Sequence, residues 1–241
     1  TAQKNCAESW LVMLDLREET QAFLPQLNLS PEHYPLKDMA IKTWKGRMVN
    51  EHGSAVVFDG LYQQGLDFGL EEADLARLRS FADEERQHGI LCGAVVEALG
   101  GEARADVLEQ PEFPVHQDAS PLEGLLRNLL SISCLSETVA VSLIAAEREE
   151  LPEGELKELL TKIWAEECGH ANFGWRLLKE LLPQGDAELP QRLGEYLCQA
   201  FGHLEAHELA HLPLESNPPP AGSALGLCSG REARALFYAT V

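Results

Sequence analysis

At 241 residues the chain is long enough to bury a substantial core without disulfide or metal staples, as one large domain or two small ones. Its 19 basic residues against 39 acidic ones leave a formal charge of −20, which repels phosphate backbones and anionic headgroups, so neither nucleic acid nor a membrane is an expected partner. Six cysteines without a C-x-x-C pair read as reduced thiols, and neither a secretory leader pattern nor an unbroken apolar run of about eighteen residues is seen, so the expected location is cytoplasmic.

Apolar residues three and four apart dominate from end to end, and alternating β-branched runs are absent, which predicts an all-α chain. A first helix is expected over about residues 5–24, stopping in the stretch from Pro25 to Pro31. A second runs from about Pro35 to Gly65, and a third opens near Glu71 after Asp67-Phe68-Gly69 and ends at Gly100-Gly101. Residues 101–120 hold Pro111, Pro114 and the polar stretch His116-Gln-Asp-Ala-Ser120, which predicts a long connection with no helix of its own. Ser120-Pro121-Leu122-Glu123 sets an N-cap, a proline at the first helical position and a glutamate at the third, so a fourth helix starts there and runs to about Glu149. Leu151-Pro152-Glu153-Gly154 then turns the chain into a fifth helix ending at Pro183. A further helix covers about 190–212, and Asn217-Pro-Pro-Pro-Ala-Gly222 reads as a linker within a 213–241 tail. The expected order is hairpin, long crossover, hairpin, in a single domain spanning 1–241 with its core at about 38–183.

Each of the four central helices carries an apolar 3-4 stripe broken by charge. The stripes are Met48, Glu51, Ala55, Phe58 in the second helix and Phe81, Glu85, His88, Cys92 in the third. The fourth offers Leu130, Ser133, Glu137, Ala140, Ile144, and the fifth Ile163, Glu167, His170, Gly174. A buried, unpaired carboxylate costs several kcal/mol, so four inward glutamates need protons, cations or a metal to compensate them. One Glu-x-x-His is explained by a helix salt bridge. Here the pattern occurs twice, in Glu84-Glu85-Arg-Gln-His88 and Glu166-Glu167-Cys-Gly-His170, and the doubled glutamates put Glu84 and Glu166 at the surface or behind the histidines.

Heights match as well. Glu51 and Glu85 lie 17 residues either side of Phe68, and Glu137 and Glu167 lie 15 either side of Pro152. At 1.5 Å per residue each pair sits roughly 22–26 Å from its turn. Glu147 is only five residues before Pro152, too near the turn to replace Glu137.

These six positions make the sequence similar to the ferritin-like di-iron carboxylate superfamily, over about residues 38–183. In its four-helix bundles two helices give one Glu each and the other two a Glu-x-x-His each. The resemblance implies that Glu85 and Glu167 bridge two metal ions, while Glu51 with His88 and Glu137 with His170 complete the ends. Two iron ions are implied, with manganese the rival for an oxygen-rich set holding one imidazole per metal. The segment Glu167-Cys-Gly-His170-Ala-Asn-Phe-Gly174 also resembles the matching helix of aldehyde-deformylating oxygenases. The expected function is a dinuclear iron oxidase or oxygenase, an oxidoreductase using O2 or peroxide on a small organic substrate with an external electron donor. Its alternative is iron oxidation and storage, or peroxide removal of the manganese-catalase kind, in a homo-oligomer. Small residues beside the ligands, Ser54, Ala55, Gly89, Ser133, Gly169 and Gly174, suit either a substrate channel or close helix contact.

A competing motif is His207-Glu208-Leu-Ala-His211, formally the H-E-x-x-H of zinc peptidases. Only Glu215 and Glu232 follow as third ligands. With His203 the three imidazoles also suit a solvated helix face, or an extra metal contact at His207, Glu208 and His211.

Overall fold

Leu11 to Asp15 form a strand, β1, where helix is expected, and they pair antiparallel with β2, Arg104–Leu108, from Leu11 opposite Leu108 to Asp15 opposite Arg104. The structure is a computed structural model and describes residues 11–108 and 112–241; the rest of the expected 5–24 helix, residues 5–10, lies outside them. Glu19–Ala22 adds one 3-10 turn. The 101–120 crossover therefore carries a strand. The backbone of 11–15 finds its hydrogen-bond partners ninety residues away rather than four, which local periodicity cannot register.

Among the described residues everything else of regular structure is helical. α1 (Lys37–Phe68) stops at Gly69, whose φ of 89° is open to glycine without strain, and the amides of Gly69 and Leu70 both donate to the Gly65 carbonyl. α2 (Glu72–Ala98) starts immediately after and packs along α1. Ser120 caps α3 (Pro121–Leu129), its hydroxyl accepting from the Glu123 amide. The expected fourth helix is not uniform: α3 passes into a π-helical segment, Leu130–Ser136, and then α4 (Glu137–Glu150). The whole run Pro121–Glu150 has the length and apolar composition of a membrane-crossing helix, although it places Glu137 and Glu147 among its buried residues. α5 (Glu155–Leu181) and α6 (Leu189–His211) follow at the predicted places, and α7 (Gly230–Thr240) forms within the stretch expected only as a tail.

The core comes in layers. Trp44, Met48, Cys92, Val95, Leu160 and Ile163 form one apolar cluster; Phe58, Leu78, Phe81, Leu126, Phe173 and Leu177 form a second. On α1, α2 and α5 the charged positions 51, 85–88 and 167–170 fall between the two, so a polar layer is sandwiched between apolar ones. A third cluster, Leu135, Val139, Ala200, Leu204 and Phe237, covers the outer side of the π segment and α4 with α6 and α7.

The stretch expected as a linker is anchored. Pro220–Leu225 forms a 3-10 turn, Leu225 is buried, and its carbonyl accepts from Trp44 Nε1 at 2.8 Å. Gly226, at φ 74°, lies so close to Trp44 and Glu147 that a Cβ there would come within 2.8 Å of the carboxylate. Glu147 is buried against Arg47, whose guanidinium sits 4.6 Å over the Trp44 ring. Removing one partner strands the other's charge, so Glu147→Ala should lower unfolding free energy by about 3 kcal/mol in urea titration. A loss below about 1 kcal/mol would mean that Arg47 reaches water unaided.

Candidate metal centre

All six predicted side chains converge. Glu51, Glu85, His88 and Glu167 each offer an atom within 4.8 Å of the others, and so do Glu85, Glu137, Glu167 and His170. Glu85 and Glu167 belong to both groups. Four are essentially sealed, with His88 and His170 at 0% exposure, Glu85 at 1% and Glu167 at 2%; Glu137 is buried and Glu51 is the most open.

The geometry is nearly two-fold. His170 Nδ1 lies 3.0 Å from Glu167, 3.1 Å from Glu85 and 3.6 Å from Glu137. His88 Nδ1 lies 3.2 Å from Glu167, 3.8 Å from Glu85 and 4.0 Å from Glu51. Adding 82 to 84, 85 and 88 gives 166, 167 and 170, so the two Glu-Glu-x-x-His segments occupy equivalent places. His88 Nδ1 and Glu85 Oε2 are nevertheless buried without an aligned hydrogen-bond partner. Buried polar atoms are rarely left so, and a cation between them would satisfy both. The donor set fits a metal on this observation, since both imidazoles turn the same nitrogen toward the carboxylates.

The other nitrogens explain the doubled glutamates. His88 Nε2 pairs with Glu166 at 2.9 Å, and His170 Nε2 pairs with Glu84 at 2.9 Å, each carboxylate reaching across from the opposite helix. Glu166 is in turn held by Lys162 at 2.6 Å, and Glu84 accepts from Ser80 at 2.7 Å. A carboxylate behind a ligating imidazole fixes ring orientation and keeps the proton on the far nitrogen. The hydrogen bond to His88 holds the Glu166 carboxyl down to about 2, with Lys162 adding to it against burial. Glu84 borders a surface hollow of about 450 Å³ lined also by Tyr62, Arg79, Ser80 and Lys162.

Electrostatics inside the layer follow from burial. Burial, then the charges of Glu85 and Glu167, push the Glu51 carboxyl well above its ordinary range; burial and Glu167 do the same to Glu137. Glu167 goes the other way: burial opposes it, but hydrogen bonds from Glu137 and His170, with the charge of His88 beside it, hold it well below. Burial also opposes charge on the histidines, yet hydrogen bonds to the surrounding glutamates raise both well above the usual imidazole value. Glu51, Glu137, His88 and His170 are thus the groups that favour a proton. A proton on each of the four would balance the cluster's charge as two divalent cations would.

At Gly174 and Gly89 the small residue serves helix contact. A Cβ on Gly174 would lie 2.7 Å from the Ser133 backbone, and one on Gly89 would touch the Met48 carbonyl at 3.4 Å. His207-Glu208-x-x-His211 lies on α6, where His207 Nε2 pairs with Asn50 at 3.1 Å and His211 Nδ1 with the His207 carbonyl at 2.9 Å. Among the described residues no third ligand joins them, and Glu215 and Glu232 are in neither metal-ligand group. Sequence periodicity does not predict the π-helical segment before Glu137; the serines at 131, 133 and 136 are its one local signal. The five cysteines of the described residues are free and lie outside both groups.

Compared with known proteins, the chain matches no family model, no curated protein and no solved structure.

Proposed function

We propose that α1, α2, the Pro121–Glu150 run and α5 form a ferritin-like four-helix bundle holding two iron ions. The chain acts there as an oxidase or oxygenase on a small organic substrate. What carries the proposal is the pair of overlapping four-residue groups that share Glu85 and Glu167. Glu85 and Glu167 would bridge the ions, Glu51 and His88 would hold one, and Glu137 and His170 the other. Manganese remains the rival ion, because carboxylate oxygens and one imidazole per site suit both. Bound as a pair, iron supplies two electrons for reducing dioxygen or peroxide, with an external donor restoring them.

The chain's own residues do the rest. Phe58 and Phe81 pack against the His170 ring at centroid distances of 5.2 and 4.3 Å, which keeps water from that side. Glu51, with 14% of its side chain exposed, marks the side from which a small molecule approaches, against 8% for Glu137. Glu84 and Glu166 keep the Nε2 protons in place so that both Nδ1 atoms face inward.

Metal analysis of protein purified without oxygen tests the proposal. About two iron ions per chain are expected, with a new near-ultraviolet or visible absorption on admitting air; fewer than about one metal per chain would defeat it. Manganese with oxygen evolved from peroxide would move the chemistry to peroxide removal. A shell-sized assembly on gel filtration would move it to iron storage.

A further inference from the structure

We infer that Ser133 and Gly174 are positioning residues that hold Glu137 and His170 at metal-binding separation, an inference that rests on the dimetal reading above. Gly174 follows His170 by one turn of α5, and Ser133 precedes Glu137 by four residues in the π segment. The two backbones meet there. An ideal Cβ on Gly174 would stand 2.7 Å from both the carbonyl carbon and oxygen of Ser133 and 2.8 Å from its Cβ, distances that no real Cβ contact shows. Backbone cannot swing aside as a flexible side chain does, so any residue larger than glycine must push the π segment off α5.

A hydrogen bond fastens the same contact. The Ser133 hydroxyl, fully buried, donates to the His170 carbonyl at 2.8 Å. The π segment meets its own widened turn with serines as well, Ser136 donating to the Ser131 carbonyl at 3.0 Å and Ser131 to the Arg127 carbonyl at 3.0 Å. π-type turns are rare and poorly bonded, so this one persists because its surroundings hold it. Glu137 is the first residue after it, and its carboxylate stands 3.6 Å from His170 Nδ1. The clamp therefore joins the two elements that contribute the end ligands of one metal position, one turn away from those ligands.

The other half is built differently: 82 positions before Gly174 stands Cys92, which already carries a side chain. Gly89, the residue after His88, would accept a Cβ at 3.4 Å from the Met48 carbonyl and 3.8 Å from Glu51 Cβ, ordinary contact distances. The two metal positions are thus built with unequal tolerance.

Titration of metal-free protein with cobalt(II), followed by visible absorption and equilibrium dialysis, tests this. Wild type is expected to take up two ions. Gly174→Ala should weaken one of them by about 10–100-fold and alter its share of the cobalt spectrum, while leaving the other unchanged. Ser133→Ala, which removes only the hydroxyl, should weaken the same ion less, and Ser133→Thr, which restores a hydroxyl, should recover part of the loss if its methyl is accommodated. Gly89→Ala should bind both ions as wild type does. Wild type that binds no cobalt would overturn the metal centre itself. Two ions bound unchanged by folded Gly174→Ala and Ser133→Ala would overturn only the positioning role. If Gly174→Ala fails to fold by circular dichroism, the Ser133→Ala result decides alone, unchanged affinity counting against the inference.

Discussion

Glu167→Ala is expected to remove both metal ions, whereas Glu51→Ala removes one. Glu167 belongs to each ligand group and stands 3.0 Å from His170 Nδ1 and 3.2 Å from His88 Nδ1, so its loss opens both positions together. Glu51 belongs to one group and is the most exposed of the six, so its loss leaves Glu85, Glu137, Glu167 and His170 intact. Metal content after dialysis should fall from about two per chain to below about 0.2 in Glu167→Ala and to about one in Glu51→Ala, an affinity loss beyond the 10–100-fold typical of outer carboxylates. The metal-free variant should also be less stable than metal-free wild type by about 3 kcal/mol, because two buried imidazoles lose the carboxylate between them. One ion held by Glu167→Ala at wild-type affinity would rule out a shared ligand.

Loading the centre should expel about four protons per pair of metals and make uptake steeply dependent on pH. The sign follows from the direction of each shift. Glu51, Glu137, His88 and His170 are all raised, so each keeps its proton to a higher pH than the free group does, and a metal must displace those protons. Lowering the pH strengthens that competition, and the overall constant for two ions falls by up to about four decades per pH unit where all four groups are protonated. Calorimetry in two buffers of different ionisation enthalpy counts the protons; release of fewer than about one would mean that the metal binds elsewhere. The same uptake should raise the melting temperature. Metal at about a thousand times its dissociation constant adds about 4 kcal/mol, which for a chain of this size is about 8–16 °C.

How much of this could be read beforehand depended on the range of the interactions. The turn at Gly69, the cap at Ser120 and the stripes through Glu85-His88 and Glu167-His170 are local patterns, and the helices and the six converging side chains follow from them. Equal distance from a turn was enough to match Glu51 with Glu85 and Glu137 with Glu167, because a helical hairpin is a ruler. Strand β1 was not legible. Leu11-Val-Met-Leu-Asp15 has no turn signal and becomes a strand only because Arg104–Leu108 lies beside it. The π segment escaped for a related reason. Ser131, Ser133 and Ser136 look like ordinary polar breaks until the contact with Gly174 shows what the wider turn is fitted to. Pro218, Pro219 and Pro220 signalled a linker, and only Trp44 made that stretch part of the core.

The Trp44 contact has a consequence for synthesis. Its indole is bonded to a carbonyl 181 positions further along the chain, and Gly226 closes over Trp44 and Glu147 at the same spot. At about 5–20 residues per second the ribosome needs roughly 10–40 s to cover that interval, during which the Trp44 ring waits without its carbonyl partner, and Arg47 waits through the first part of it for Glu147. A nascent chain stopped just short of Leu225 would carry all six converging Glu and His side chains and still present an adhesive, half-built flank to its neighbours.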